Sequence, residues 1–333
     1  MSSLKDHFIK TFDLGADPDK QKAVFETDGP TLIIAGPGTG KTYTLVLRTL
    51  YLILSGAARP SEIVLTTFTE KSAFELRDRL SLFSKRIALD KKLDLHELVT
   101  GTIHSICDNF NQEFLKETPL KKGYVILDDL TCPLFINEHF NEIIEPYKIG
   151  DQYFGRWKNK WGLYGKGAIS QVKPYFDKIT EELLDPDDLI ASGDPFLSSL
   201  GNSYKVYREL MYENNRVDFA FQQRIFYDLL SSERIRQKIA SNIKYMLVDE
   251  YQDTNYIQEQ IALNLVKPHN NITVVGDEDQ ALYRFRGATV RNILEFKNHF
   301  ENCNEVKLLE NFRSHKDIIE HYNVFMNSAL QGM

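Results

Sequence analysis

Eight consecutive residues, Ala35-Gly36-Pro37-Gly38-Thr39-Gly40-Lys41-Thr42, carry the clearest chemistry in this 333-residue chain. Alternating glycines let the backbone curl until successive N–H groups face one point, which suits an anion. A glycine-rich loop that closes on Lys-Thr is the pattern that cradles a chain of phosphates. Lys41 reaches the β- and γ-phosphates and the Thr42 hydroxyl meets Mg²⁺. Cleaving a phosphoanhydride also needs a carboxylate near that metal, at the end of a neighbouring strand. Asp249 and Glu250, directly after the apolar run 245–248, meet the requirement. Asp249 is expected to hold Mg²⁺ through its hydration shell, and Glu250 to take the proton of the attacking water. Acids also favour the first turn of a helix, which is the plainer reading of such a pair. The phosphate loop upstream is what turns it towards catalysis.

Elements must bring these two segments together across 208 residues of chain. The apolar run 31–35 reads as a buried strand entering the phosphate loop, with a helix from about Lys41 leaving it. Residues 63–67 repeat the theme, followed by Ala73, Leu76 and Leu80 at helical spacing. A second stretch of the same kind holds apolar runs at 245–248, 272–275 and 306–309. Strands alternating with helices predict an α/β fold, a parallel sheet with helices on both faces. Between the stretches, Phe114, Phe135, Phe140, Leu189, Leu210 and Leu229 fall in helical patterns with polar spacers. We read 107–242 as a mainly helical domain inserted into the α/β domain.

Composition bounds the rest. Hydrophobic residues make up 42% and charged residues 26%, as in a folded globular chain of about two domains. A net charge of −7 argues against a surface coated for nucleic acid, yet leaves room for a local basic groove. Three scattered cysteines, Cys107, Cys132 and Cys303, give neither a disulfide framework nor a zinc site. A reducing, cytoplasmic setting is expected. The first ten residues lack an apolar core for a secretory signal, and the run 45–54 is too short to span a bilayer, so no membrane partner is expected.

Further motifs follow in order. They are Asp249-Glu250-Tyr251-Gln252-Asp253-Thr254, then Val275-Gly276-Asp277-Glu278-Asp279-Gln280, Tyr283-Arg284-Phe285-Arg286-Gly287-Ala288 and Leu308-Leu309-Glu310-Asn311-Phe312-Arg313-Ser314. Thr67-Phe68-Thr69-Glu70-Lys71, Gly101-Thr102-Ile103-His104-Ser105 and Val217-Asp218-Phe219-Ala220 join them. From about Gln21 to the C-terminus this resembles the UvrD/Rep-type superfamily 1 DNA helicases. The resemblance implies a RecA-like domain at 1–106 and 243–304, the helical insertion at 107–242, and the start of a second, truncated RecA-like domain at 305–333. It also implies an ATP hydrolase that uses Mg²⁺ and moves 3′ to 5′ on single-stranded DNA or at single–double-strand junctions, in repair or recombination.

Site roles carry over residue by residue. Residues Ala35, Gly36, Pro37, Gly38, Thr39, Gly40, Lys41 and Thr42 hold the phosphates, with Tyr43 next in line. Gln21 is placed at the adenine-contacting position and Phe312 where a ring stacks on adenine. Arg286 and Arg313 match arginines that reach the γ-phosphate, and Gln280 matches the residue that links it to the DNA. Phe68, Tyr283 and Phe285 fall where the strand is lined, and Thr67, Thr69 and His104 where its phosphates or sugars are met.

The sequence departs from the family in places. Tyr43 replaces an arginine, Leu309 an acid and Phe285 a tryptophan. The segment 156–178 carries six basic residues, among them Arg156, Lys158 and Lys160, plus Trp157 and Trp161 four apart. It reads either as added DNA surface or as a helix with its tryptophans packed inward. The chain ends about twenty residues past Arg313. The family's second motor domain is therefore expected in cis or in trans, and stepping by this chain alone is not. A non-motor ATP- or DNA-binding fragment, or a subunit of a split or helicase–nuclease complex, is the other reading.

Overall fold

A computed structural model describes residues 3–87, 93–147, 166–277, 290–321 and 324. Among the described residues, eight strands form two sheets. The large one contains β1 (Thr31–Ala35), β2 (Ile63–Thr67), β3 (Val99–Thr102), β6 (Tyr245–Val248), β7 (Ile272–Gly276) and β8 (Asn304–Leu308), in the order β3-β2-β6-β7-β1-β8. Every pairing in it is parallel. The smaller sheet pairs β4 (Val125–Leu127) with β5 (Arg216–Asp218).

Parallel strands need cover on both faces, and the side chains divide accordingly. Ile33, Leu65, Leu247 and Val275 face one core, while Leu32, Val64, Met246, Val248 and Val274 face the other. The first core is closed by α1 (Leu4–Phe12), α2 (Pro18–Phe25), α3 (Lys41–Leu54) and α4 (Glu70–Ile87). Arg48 of α3 is wholly buried and donates to the Ala23 carbonyl (2.5 Å) and Thr31 Oγ1 (3.2 Å). It thereby fixes α2 and β1 against the helix that follows the phosphate loop.

A distinct core, built on Phe135, Phe176, Tyr204, Tyr207 and Phe221, draws on residues 120–225. It lies within the segment expected as a helical insertion and is made of α6 (Thr131–Glu138), α7 (Phe140–Ile143), α8 (Lys166–Glu181), α9 (Pro186–Ala191), α10 (Pro195–Glu213) and the start of α11 (Phe219–Leu230). The expected limits, 107 and 242, enclose more than this. α5 (Ile103–Glu113), the end of α11 and α12 (Glu233–Ala240) pack in the second core, under the sheet, with α13 (Tyr256–Val266) and α14 (Val290–Glu295). Phe110 of α5 stacks on Phe226 of α11 at 5.0 Å, and Asn111 donates to the Gln222 carbonyl at 2.8 Å.

The boundary expected between residues 304 and 305 needs correction. It falls inside β8, which pairs with β1 along its whole length, so residues 305–308 complete the first sheet instead of opening another domain. Among the described residues no helix is long and apolar enough to cross a membrane.

Candidate active site

All six strands of the large sheet point the same way, so the segments that follow them share one edge. In open α/β sheets that edge is where ligands bind. It carries the phosphate loop after β1, Phe68-Thr69 after β2, His104 after β3, Asp249-Glu250 after β6, Asp277 after β7 and Leu309 to Arg313 after β8.

The phosphate loop owes its shape to two glycines. Gly38 and Gly40 have φ of 78° and 92°, a region that penalises any side chain. A Cβ on Gly38 would stand 2.6 Å from Asn311 Oδ1 and 2.9 Å from the Arg313 Cβ. Thr39 closes the turn by donating to the Gly36 carbonyl at 2.9 Å. No side chain caps the start of α3, so its first N–H groups and the positive end of its dipole face the loop.

Across the edge, Thr42 Oγ1 donates to Asp249 Oδ2 at 2.8 Å. Burial, and then the neighbouring Glu250 charge, push the Asp249 carboxyl up to about 6. Asp253 is pushed up to about 6 by the same two causes in the same order. Glu250 sits in the left-handed region at φ 52°, a strained turn that aims its side chain at Lys41, 3.4 Å away. Gln252 donates to Glu250 Oε2 at 2.7 Å and accepts the Asp277 N–H at 3.0 Å. Gly276 leaves room for this contact, because a Cβ would lie 2.7 Å from Gln252 Oε1. A hydroxyl and a buried carboxylate whose protonation is raised by crowded acids form a hard-oxygen donor set. That set suits Mg²⁺, which Thr42 and Asp249 would hold.

On the outer side of the loop the expected residues are partly redistributed. Gln21 was expected to meet adenine, but it spends its amide N–H on the Leu14 carbonyl at 2.9 Å. The residue before it, Lys20, faces the site instead: its Nζ lies 4.0 Å from the centre of the Phe312 ring. Tyr43 likewise turns to the core, edge-on to Phe12 and Phe83, with its hydroxyl on the Phe12 carbonyl at 3.0 Å. Phe312 is 61% exposed and its N–H donates to the Gly38 carbonyl at 2.9 Å. Asn311 donates to the Pro37 carbonyl at 2.6 Å and accepts the N–H groups of Arg313 and Ser314. Arg313 is thereby held against Gly38, beside the phosphate loop.

Thr67, Phe68, Ile103 and His104 line one crevice together with Asp249 and Glu250. The expected DNA side and the acid pair thus share a wall. Thr67 Oγ1 is buried with no partner among the described residues. Thr69 starts α4: its hydroxyl accepts the Ser72 N–H at 3.1 Å. His104 lies 2.9 Å from the Gln223 amide nitrogen and edge-on to Phe219, and burial pulls its imidazole down to about 4. It is therefore a neutral hydrogen-bonding group at physiological pH, not a phosphate-binding cation. Gln280, Tyr283, Phe285 and Arg286, and Arg156, Trp157, Lys158, Lys160 and Trp161, lie outside the described residues. Lys173, at the far end of the basic segment, is turned inward to Asp177 and Asp218.

Residues 16–301 match the family described as UvrD/REP helicase N-terminal domain. The chain belongs to that family. It is 28% identical over its full length to the ATP-dependent DNA helicase SRS2 of Saccharomyces cerevisiae, of which it covers 28%. Two ATP-dependent DNA helicases named PcrA are similar as well. That of Leuconostoc citreum is 30% identical across 96% of this chain, and that of Bacillus subtilis 29% identical across 93%. The chain spans 40% and 39% of those two relatives.

As a UvrD/REP helicase N-terminal domain, the chain shows three site residues that sequence reasoning left without a role. Asn311 latches the loop after β8, Gln252 bridges Glu250 to the end of β7, and Lys20 faces Phe312. Asn311 and Gln252 stand within the sequence motifs. Only the fold reveals what each one touches.

Proposed function

We propose that this chain is the N-terminal motor region of an ATP-dependent DNA helicase, coupling ATP hydrolysis to 3′-to-5′ movement along single-stranded DNA. The observation that carries the reading is the pairing of Thr42 with Asp249 at 2.8 Å, where Asp249 also lines one crevice with Phe68 and His104. The strand polarity and a role in repair or recombination follow from family resemblance.

The residues can perform the hydrolysis. Before a triphosphate arrives, Lys41 is paired with Glu250 at 3.4 Å. A γ-phosphate in the loop offers Lys41 a stronger partner and releases the Glu250 carboxylate. Glu250, still held by Gln252, then takes a proton from water as the water oxygen bonds to the γ-phosphorus. The bond to the β-bridging oxygen breaks and its electrons leave with ADP. Thr42 and Asp249 would hold Mg²⁺, which would supply positive charge to the phosphate oxygens. Arg313, beside Gly38, and Arg286 add positive charge to the transferring group. A second RecA-like motor domain, in cis or in trans, would convert each cycle into a step.

The test is ATP turnover with and without oligo-dT, by the chain alone and with a separately supplied second motor domain. DNA-stimulated turnover that disappears in Glu250→Gln is expected. Binding of ATP and DNA with no turnover under any of these conditions would assign the chain to the non-motor alternative.

A further inference from the structure

We propose that Lys20 reads the base in this nucleotide site, and that it makes the site accept guanine nucleotides alongside adenine ones. The inference rests on the nucleotide-site reading above.

Lys20 is an unusual residue to find where it lies. It is 5% exposed, on α2, which Arg48 fixes to α3. Its Cε comes within 3.9 Å of where a Cβ on Gly40 would stand, and its Nζ is 4.0 Å from the Phe312 ring centre. Burying an ammonium is costly without a partner, and here Asp17 supplies one at 2.9 Å. Asp17 uses its other oxygen on the Lys20 N–H at 2.8 Å, so the N-cap of α2 holds the lysine at both its backbone and its side chain. The ammonium is thus placed, by design of the helix start, between the phosphate loop and an exposed aromatic ring.

A base tethered to phosphates at Gly38 to Thr42 and stacked on the ring face of Phe312 that Lys20 now covers meets that ammonium directly. The chemistry of the contact is one-sided. An ammonium has three donors and no acceptor. With both Asp17 oxygens engaged, what the lysine offers a base is hydrogen-bond donation. Guanine presents two adjacent acceptors, O6 and N7, whereas adenine presents N7 beside the N6 amino donor. A glutamine in this place would satisfy adenine, accepting from N6 and donating to N7. Lysine gives up that discrimination and favours the pair of acceptors. Gln21, one residue on, is committed to Leu14 and does not restore it.

The test is calorimetric titration of the chain, in Mg²⁺, with β,γ-imido ATP, β,γ-imido GTP and tripolyphosphate, for wild type, Lys20→Gln and Lys20→Arg. The deciding quantity is the GTP-to-ATP affinity ratio, which is insensitive to the fraction of a variant that is folded. Lys20→Gln is expected to lower this ratio by about fivefold or more, and Lys20→Arg, also a donor without an acceptor, to keep it near wild type. A smaller change in Lys20→Gln overturns the inference and leaves the nucleotide site standing. If none of the three probes binds, the nucleotide site itself is refuted and the inference falls with it.

Discussion

Asn311 and Pro37 lie 274 positions apart in the chain, yet the Asn311 amide donates to the Pro37 carbonyl at 2.6 Å. The loop after β8 is therefore latched onto the loop after β1, and Phe312 and Arg313 inherit their positions from that latch. Asn311→Ala removes this bond and the two turn bonds that organise Arg313. Allowing about 1 kcal/mol for one net hydrogen bond, ATP affinity should fall by about fivefold to tenfold. Titration calorimetry measures it. Wild-type affinity in the variant would show that the latch is incidental.

Gly38→Ala should be more severe. The added methyl meets Asn311 at 2.6 Å, at a backbone angle of 78° that costs L-residues about 1–2 kcal/mol. Either the latch opens or the phosphate loop changes shape. Loss of measurable tripolyphosphate binding, with a melting temperature within a few degrees of wild type, is the expected pattern.

Gln252→Ala leaves Glu250 with Lys41 but takes away the amide that steadies it. The substrate contacts are untouched, so kcat should drop by about tenfold or more while KM moves little. Steady-state kinetics with DNA present separate the two. A rise in KM at constant kcat would place Gln252 in binding instead of in positioning the base.

Removing the metal should stop turnover. Chelation with EDTA is expected to abolish hydrolysis, and Asp249→Asn to raise the Mg²⁺ concentration needed for half-maximal rate by about tenfold or more. A magnesium titration of both proteins decides it. An unchanged midpoint would remove Asp249 from the metal site.

His104 predicts a pH dependence of stability. Its folded-state value of about 4 lies below the ordinary 6.5. Above 6.5 both states are neutral and stability is full. As pH falls from 6.5 towards 4, the unfolded chain gains a proton that the folded chain refuses, so stability declines across that window. Denaturant melts at several pH values should show the decline in wild type and a flatter profile in His104→Gln. Parallel profiles would mean that other groups govern the acid limb.

Much of this was legible in the sequence, for a physical reason. The phosphate loop and the strand-ending acids are local patterns, since a strand must precede the loop and a helix must follow it. Both do. What was not legible is lateral. Gln21 and Lys20 illustrate it: neighbours on a helix point about 100° apart, and no local pattern tells that Gln21 turns to the Leu14 carbonyl while Lys20 turns to Phe312. Tyr43 is similar, because nothing local reveals that Phe12 and Phe83 pack against it. The strand read at 306–309 runs from Asn304 to Leu308, and its allegiance to β1 is a pairing no periodicity encodes.

The strand order has a consequence for how the chain comes to be folded. β1 is flanked by β7 and β8, and β2 is separated from β1 by β6 and β7. During synthesis, β1 leaves the ribosome without either neighbour and must wait for residue 272 before the first of them exists. Closing so long a loop has to precede the contacts that reward it, which slows assembly of this sheet. The insertion faces no such delay, since its own core draws on a continuous stretch from 120 to 225. It is positioned to collapse first and hold β1–β3 and the later strands at a short distance. The nucleotide site is shared among segments from both halves, so it cannot form before residues of β6 and of the loop after β8 have been made.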